Sequence, residues 1–206
     1  MPKSDYDWSA FTKGNFIQKY WKHKIFYLVT EAIVGKESKQ ILNPIVDIGC
    51  GSSPILKLLH ANDKTGIDID ISKIDFIEDA DSSSTYYCRP GEDTGLESNY
   101  YSAVLCIEVL EHHPEPEKLI KEIARLAKPE GTIVLATPDF GSMRWQWIEK
   151  IYGFLMRKGY HDEHEMQFTE STLINLARQH GLKHVWTRKV WGADMVCKFR
   201  KYLDDA

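Results

Sequence analysis

A short glycine loop that begins with an acidic residue has the residue types of a ligand-binding turn. The loop is Asp47-Ile48-Gly49-Cys50-Gly51. Its two glycines permit a tight turn and let a ligand approach the backbone closely, because glycine has no Cβ atom. Asp68 follows 21 residues after the start of the loop, at the end of the next strand-like segment. A carboxylate at that point can accept hydrogen bonds from both ribose hydroxyls of a nucleoside.

Pro54 occupies the position at which a dinucleotide-binding loop has its third glycine. Such loops follow the pattern Gly-x-Gly-x-x-Gly, and the pyrophosphate binds at the N-terminus of the following helix. The absence of the third glycine favours a nucleoside without phosphates over a dinucleotide. S-adenosylmethionine (SAM) is one such ligand.

A second set of polar residues has the spacing of a metal or acid–base site. Glu108, Glu111 and His112 stand at positions i, i+3 and i+4, so they share one side if this segment is helical. His113 then faces elsewhere, and we expect it to be solvated. The acidic and histidine-rich segment 161–165 lies directly before a predicted helix, and it could approach the same place. Carboxylates and imidazoles that converge in this way suit Mg²⁺ or Mn²⁺.

The same residues can serve in acid–base catalysis without a metal. Histidine titrates near neutral pH, which makes His112, His161 and His164 candidate general bases. Glu111 is a further catalytic candidate. Packing and hydrogen bonding of these side chains, with no chemical role, is the competing interpretation, because spacing alone does not fix geometry.

Strand-like and helix-like segments alternate along the chain. Predicted strands cover residues 44–48, 65–69, 103–107, 132–136, 184–189 and 195–200, with 75–78 and 85–88 as competing candidates for one more. Predicted helices cover residues 15–34, 116–128 and 143–157, and others follow Pro54 and Thr169. This alternation implies right-handed crossovers and a mostly parallel sheet between helices. Ligands of such sheets bind beyond the carboxyl ends of the strands, which is where the glycine loop falls.

Composition narrows the functional class. The 206 residues suit one domain, and 43% hydrophobic residues can form a substantial core. A net charge of −4 argues against nucleic acid as the main partner, for which a basic face is expected. The N-terminus lacks the apolar segment of a signal peptide, and no stretch approaches the roughly 18 apolar residues of a membrane span. Four widely spaced cysteines indicate reduced thiols. We therefore expect a cytoplasmic protein with a small-molecule partner; the sequence does not indicate its oligomeric state.

Five motifs, in this order and at this spacing, resemble those of class I SAM-dependent methyltransferases. The motifs are Val46–Gly51, Gly66–Ile69, Cys106–His112, Leu126–Gly131 and Ala136–Pro138. The resemblance covers residues 42–200. It implies a Rossmann-like α/β fold, with a seven-stranded, mostly parallel sheet, helices on both faces and an antiparallel last strand.

The domain organisation follows from the same resemblance. Residues 1–40 are predicted to form an N-terminal helical cap, and residues 41–206 the methyltransferase domain with an aromatic helical insertion near 141–165. Aromatic residues of the cap and the insertion are expected to build the acceptor pocket. Trp145 and Trp147, two positions apart, cannot both face the same side of one helix.

The resemblance also implies roles for residues around the methionine part of the cofactor. Asp47, Gly49 and Gly51, with Cys50 between the two glycines, would surround this part of SAM. Ile107, at the end of the fourth strand, would line the pocket beside it.

The nucleoside part would contact a different set of residues. Asp68 would bind the ribose, and Ile69 would pack against the adenine. An acidic residue would meet the adenine amino group, and Glu92, Asp93 and Asp79 compete for this role. The usual distance before the fourth strand favours Glu92 and Asp93.

Two groups within the family resemble the polar set more closely. Quinone-biosynthesis O-methyltransferases share the Glu-x-x-Glu-His element, which implies methyl transfer to an oxygen of a small molecule. Small-RNA 2′-hydroxyl methyltransferases add a downstream histidine that matches His164, which implies a metal held by Glu108, Glu111, His112 and His164. The leading prediction is a small-molecule O-methyltransferase; the alternatives are a metal-dependent RNA 2′-O-methyltransferase and a SAM-binding protein without catalysis.

Overall fold

The structure is a computed structural model that describes residues 4–34, 40–147 and 166–202. The strands are β1 (Ile45–Ile48), β2 (Lys64–Asp68), β3 (Thr85–Cys88), β4 (Tyr101–Ile107), β5 (Ala127–Pro138), β6 (Leu182–Val190) and β7 (Asp194–Lys201). The helices are α1 (Tyr6–Thr12), α2 (Phe16–Ile33), α3 (Ile55–Leu58), α4 (Ile71–Ala80), α5 (Pro116–Leu126) and α6 (Glu170–Gln179). A 3₁₀ turn covers Leu110–His112, and residues 143–147 are helical.

One sheet of seven strands organises the described residues. The strand order is β3-β2-β1-β4-β5-β7-β6. Strands β1 to β5 pair in parallel, whereas β7 is antiparallel to both of its neighbours. The predicted fold class is therefore confirmed. The strand order reverses between β1 and β4, and such a switch point is where α/β sheets bind their ligands.

Helices cover both faces of this sheet. Helix α2 begins at Asn15, which forms a capping box with Gln18, and it buries Leu28 and Val29 in a core with β4, β5 and β7. Helices α5 and α6 pack against the opposite face in a second core. Helix α2 is thus part of the hydrophobic core of the sheet. The predicted boundary at residue 40 stays a prediction.

Two segments, 75–78 and 85–88, compete for the third strand in the sequence-based prediction, and the structure decides between them. Residues 85–88 form β3, whereas residues 75–78 lie within α4. The Asp70 side chain accepts a hydrogen bond from the Ser72 backbone N–H at 2.9 Å and so starts this helix. Ile74 and Ile77 are buried one turn apart, which matches helical and not strand spacing.

Only the start of the predicted aromatic insertion lies within the described residues. Trp145 is 6% exposed and Trp147 is 67% exposed, so the two side chains do face different sides of the chain. Residues 148–165, with His161 and His164, lie outside the described residues. Among the helices of the described part, none combines the length and apolar character needed to cross a membrane.

Candidate cofactor and acceptor site

The glycine loop at the end of β1 needs both of its glycines. Gly49 and Gly51 have φ values of +74° and +51°, a region that favours glycine. A Cβ atom on Gly49 would lie 2.3 Å from Cγ2 of Val109, so no side chain fits there. The Gly49 and Cys50 N–H groups donate to the Ile67 carbonyl at 2.7 and 2.9 Å. These bonds tie the loop to the end of β2.

Asp68 lies at the carboxyl end of β2, against this loop. Its Oδ2 accepts a hydrogen bond from the Gly51 N–H at 2.8 Å, and its Oδ1 accepts one from the Asp70 N–H at 2.9 Å. Two backbone donors therefore fix the orientation of the carboxylate. This is the place that the sequence predicts for a ribose-binding residue; the ribose contact itself stays a prediction.

Asp47 is a buried carboxyl group beside the loop. It is 2% exposed, and its Oδ1 has no hydrogen-bond partner among the described residues. Burial, followed by the charges of Asp68 and Asp7, raises the pKa of Asp47 to about 7. A cationic group placed here would favour the ionised carboxylate, because opposite charges attract strongly where little water is present.

The first helix covers the glycine loop. The Asp7 N–H donates to Oγ of Ser52 at 3.2 Å, and a Cβ atom on Gly51 would lie 3.1 Å from Oδ2 of Asp7. Asp7 thus adds a third carboxylate to those of Asp47 and Asp68. Sequence reasoning missed it, because no motif marks a contact between residues 45 positions apart.

Lys22 of α2 joins the first helix to the end of β4. Its Nζ lies 3.3 Å from Oδ1 of Asp7 and 2.5 Å from Oε2 of Glu108. Burial lowers the pKa of Lys22, but the charges of Glu108 and Asp7 more than reverse this, and the pKa is raised. The ammonium group therefore stays charged. It neutralises carboxylates from two distant parts of the chain.

The residues predicted to form a metal site are not arranged on one helical side. Glu108 has a φ of +56° and precedes the short 3₁₀ turn that contains Glu111 and His112. The premise of a helix across all three residues is therefore wrong. Within residues 4–34, 40–147 and 166–202, no three histidine, cysteine or acidic side chains are grouped to hold a metal ion.

The bonding of the two glutamates does not fit a divalent ion. Glu108 is paired with the ammonium group of Lys22, a cation that would repel a metal. Glu111 is 1% exposed, and its Oε2 accepts a hydrogen bond from Oγ1 of Thr137 at 3.0 Å. Burial raises the pKa of Glu111 to about 8, so this carboxyl is largely protonated at neutral pH. A contribution of His164 stays a prediction, because it lies outside the described residues.

Of the residues predicted to meet the adenine, Ile69, Glu92 and Asp93 follow the carboxyl ends of β2 and β3, whereas Asp79 lies at the opposite edge of these parallel strands, where α4 leads into β3. Ile69 directly follows β2 and is 74% exposed, whereas Asp79 lies in the last turn of α4. Glu92, in the loop after β3, pairs with Nε2 of His113 at 3.0 Å. His113 is therefore not solvated, contrary to the sequence-based expectation. Asp93 is the neighbour of Glu92; which acid meets the adenine stays a prediction.

Two further features mark the side of the site nearest β5 and β7. Ile107 ends β4 opposite Ala136 and packs, half-buried, against the core under α2.

Asp194 begins β7 and is 3% exposed; its Oδ2 accepts a hydrogen bond from Nε1 of Trp21. Its Oδ1 has no partner among the described residues. Burial, and then the charge of Glu108, raises the pKa of Asp194 well above its usual range. The sequence gives no signal for this residue, because it lies far from every motif.

Comparison with known proteins identifies the same segment as a methyltransferase domain. Residues 46–135 match the family described as methyltransferase domain. A ubiquinone biosynthesis O-methyltransferase of Coxiella burnetii is 30% identical over 68% of this chain and 63% of its own length. One of Colwellia psychrerythraea is 33% identical over 68% of this chain and 60% of its own length. The chain therefore spans about three fifths of the length of these curated relatives.

Solved structures share the fold at low sequence identity. The magnesium protoporphyrin IX methyltransferase of Synechocystis, solved with bound S-adenosylhomocysteine (SAH), has a TM-score of 0.65 at 17% identity, with 97% of both chains covered. A SAM-dependent methyltransferase of Methanosarcina mazei has a TM-score of 0.62 at 20% identity, with 78% of this chain and 92% of that chain covered. These structures support the Rossmann-like architecture.

Proposed function

We propose that this chain, which belongs to the class I SAM-dependent methyltransferases, transfers the methyl group of SAM to an oxygen atom of a small-molecule acceptor. The curated relatives described above are O-methyltransferases by name. The negative net charge of the chain favours a small acceptor over nucleic acid.

The observation that carries the proposal is the group of three carboxylates around the glycine loop. Asp47, Asp68 and Asp7 all lie beside Gly51 or influence one another electrostatically. SAM brings two positive charges, the sulfonium and the methionine ammonium. Unit charges 4 Å apart attract by roughly 4 kcal/mol at the effective dielectric near a protein surface. An acidic loop of this kind therefore favours a cationic nucleoside.

The residues fit the parts of this cofactor. Asp68 is oriented by backbone donors and is left with the capacity to accept ribose hydroxyls. The unpaired oxygen of Asp47 suits the ammonium of the methionine part. The positive φ values of Gly49 and Gly51 form the tight turn that places the loop beside these carboxylates. SAM supplies an activated methyl group when bound.

Transfer requires alignment and a destination for the acceptor's proton. An acceptor oxygen attacks the methyl carbon, the carbon–sulfur bond breaks, and sulfur keeps the electron pair. Good alignment is worth roughly 7–11 kcal/mol. Glu111, with a pKa of about 8, is largely protonated at neutral pH, so it takes up a proton only in its ionised form, which predominates above about pH 8. His112 and His164 remain candidate bases. No step involves Mg²⁺ or Mn²⁺, because the described partners of Glu108 and Glu111 do not fit a metal.

Calorimetric titration with SAM and SAH tests the cofactor site. Replacing Asp68 with alanine should weaken binding of both ligands by about 1.5–3 kcal/mol, the usual range for hydrogen bonds to a charged group. Asp70→Ala is the matched control: its carboxylate caps α4, so the affinity should stay close to that of the wild type. Equal losses in both variants, or no binding by the wild type, would contradict the assignment.

Catalysis is tested with hydroxyl-bearing aromatic acceptors, by following SAH release. We expect turnover that is insensitive to a chelator such as EDTA. A loss of activity on chelation that Mg²⁺ or Mn²⁺ restores would mean that a metal takes part. Tight SAM binding without turnover of any acceptor would favour the non-catalytic alternative, and salt-sensitive binding of RNA would favour the RNA alternative.

A further inference from the structure

We propose that Asp194 is an acceptor-binding residue: its unpaired carboxyl oxygen accepts a hydrogen bond from the atom that receives the methyl group. The inference rests on the proposed function and deepens it, because it restricts the acceptor class. The methylated atom must carry a hydrogen, as a hydroxyl or amine does. A tertiary amine could not make this contact.

The sheet places Asp194 on the same face as the predicted cofactor pocket. Asp194 pairs with Pro138 at the carboxyl end of β5, two residues before Val196 pairs with Ala136. Side chains two residues apart in a strand share one face, so Asp194 faces the side on which Val196 packs under α2. Ile107, the residue predicted beside the methionine part of SAM, packs against the same core.

The carboxyl group of Asp194 is buried, and only one of its two oxygens has a hydrogen-bond partner among the described residues. Its Oδ2 is bonded by the Trp21 indole N–H, whereas Oδ1 has no partner among the described residues. A buried polar atom without a partner is energetically costly, so such atoms are uncommon in folded proteins. A ligand that donates a hydrogen bond to Oδ1 would remove this cost.

Trp21 fixes the direction in which the unpaired oxygen points. Besides donating to Asp194, its ring meets the ring of Trp191 edge-on at a centroid distance of 5.5 Å, and Tyr20 stacks on Trp191 at 5.0 Å. The carboxyl is thus held by a side chain that is itself packed. The next residue of α2, Lys22, forms an ion pair with Glu108, which directly follows β4. Consecutive residues of α2 therefore contact the segment after β4 and the first residue of β7.

The surrounding charges select a hydrogen-bond donor. Glu108 and Glu111 both act electrostatically on Asp194, and Lys22 offsets them only in part. Carboxylates from β7 and from the segment after β4 therefore converge on one region. Burial and these acidic neighbours favour the neutral form of Asp194 when no ligand is bound, whereas a cation placed here, such as the SAM sulfonium or an amine, favours the ionised carboxylate, which accepts a hydrogen bond from a hydroxyl or an amine.

Sinefungin is a suitable probe of this region. In this SAM analogue a carbon atom with an amino group replaces the sulfonium and its methyl, so the amine points to where the acceptor atom would lie. SAH lacks that group. The ratio of the SAH and sinefungin dissociation constants therefore measures how much the protein groups around this amine contribute to binding. We expect the wild type to bind sinefungin more tightly.

Calorimetry on the full chain compares this ratio in three variants. Asp194→Asn keeps the shape but removes the charge, and should lower the sinefungin preference by about tenfold while SAH affinity changes less than about twofold. Trp21→Phe removes the donor that orients the carboxyl and should lower the preference as well. Asp139→Asn is the matched control, because Asp139 is equally buried but bonded to Lys189. Its ratio should match the wild type.

The outcomes separate this inference from the proposed function. If the wild type binds neither ligand, the cofactor assignment fails and this inference fails with it. If both ligands bind and the ratio is unchanged in Asp194→Asn, only the acceptor role of Asp194 is refuted. Circular dichroism checks folding of each variant. Should Asp194→Asn not fold, an unchanged ratio in folded Trp21→Phe refutes the inference by itself.

Discussion

Replacing Asp47 with asparagine should stabilise the unliganded protein at pH 8 and weaken its binding of SAM. Both effects have one cause. Asp47 is buried beside two other carboxylates and has an oxygen without a partner among the described residues, which raises its pKa from 3.8 to about 7. Its negative charge therefore opposes folding and, in our proposal, favours the cationic cofactor.

The size of the effect on stability follows from this shift. The pKa rises by about three units, and one unit corresponds to about 1.4 kcal/mol, so ionised Asp47 destabilises the fold by up to about 4 kcal/mol. In the unfolded chain the carboxyl ionises near pH 4, whereas in the folded chain it ionises near pH 7. The folded state binds more protons in this window, so wild-type stability falls as pH rises through it. Below pH 4 and above pH 7 the contribution is constant.

Urea denaturation followed by tryptophan fluorescence measures this difference. The unfolding free energy of Asp47→Asn minus that of the wild type should increase by about 2–4 kcal/mol between pH 4 and pH 8. Asp139→Asn is the control, because this buried carboxylate is paired with Lys189 at 2.7 Å. Its removal should lower stability at pH 8. A difference for Asp47→Asn that is the same at both pH values would refute the reasoning.

The same variant links stability to cofactor binding. At pH 8, Asp47→Asn should bind SAM at least about tenfold more weakly, because a charge-assisted contact to the ligand is lost. Wild-type affinity should rise as the pH increases through 7, since the ligand binds the ionised carboxylate. If Asp47→Asn stabilises the protein without any loss of SAM affinity, the buried charge of Asp47 does not contribute to cofactor binding.

Two further substitutions test the geometry of the site. Gly49→Ala should cost about 2–4 kcal/mol of unfolding free energy, from left-handed backbone and from a Cβ atom 2.3 Å from Val109. Gly181 has the same left-handed backbone conformation, but no atom lies within 4 Å of the position that its Cβ atom would take. An equal loss of unfolding free energy in Gly181→Ala would therefore show that the contact with Val109 is not the cause. Lys22→Met should leave Asp7 without its cation and speed amide hydrogen exchange in α1. Unchanged exchange in α1 would show that the ion pair does not hold this helix.

The parts of the site that the sequence predicts are those set by neighbouring residues. A glycine loop directly after a buried strand fixes its own turn, and Asp68 ends the next strand, which pairs with β1. The alternation of strands and helices likewise determines a parallel sheet and its carboxyl edge. These inferences need only local pattern and general rules of topology.

Long-range contacts and unusual backbone conformation account for what the sequence did not predict. Asp7, Lys22 and Asp194 reach the site from helices and a strand that no motif connects to it. Lys22 interrupts an apolar helical pattern, so it resembles a solvated charge. The glutamates after β4 have helical spacing, but the positive φ of Glu108 ends that pattern before the 3₁₀ turn. Spacing alone therefore predicted one helical face for Glu108, Glu111 and His112, which the backbone does not form.

The acidic surroundings of the glycine loop have a consequence for the reaction cycle. Methyl transfer converts a sulfonium into a neutral thioether, so the ligand loses one positive charge while Asp47, Asp7 and Asp68 stay in place. The attraction between protein and ligand weakens at the moment when the product forms. In our proposal, electrostatics thereby favours the exchange of spent cofactor for fresh cofactor.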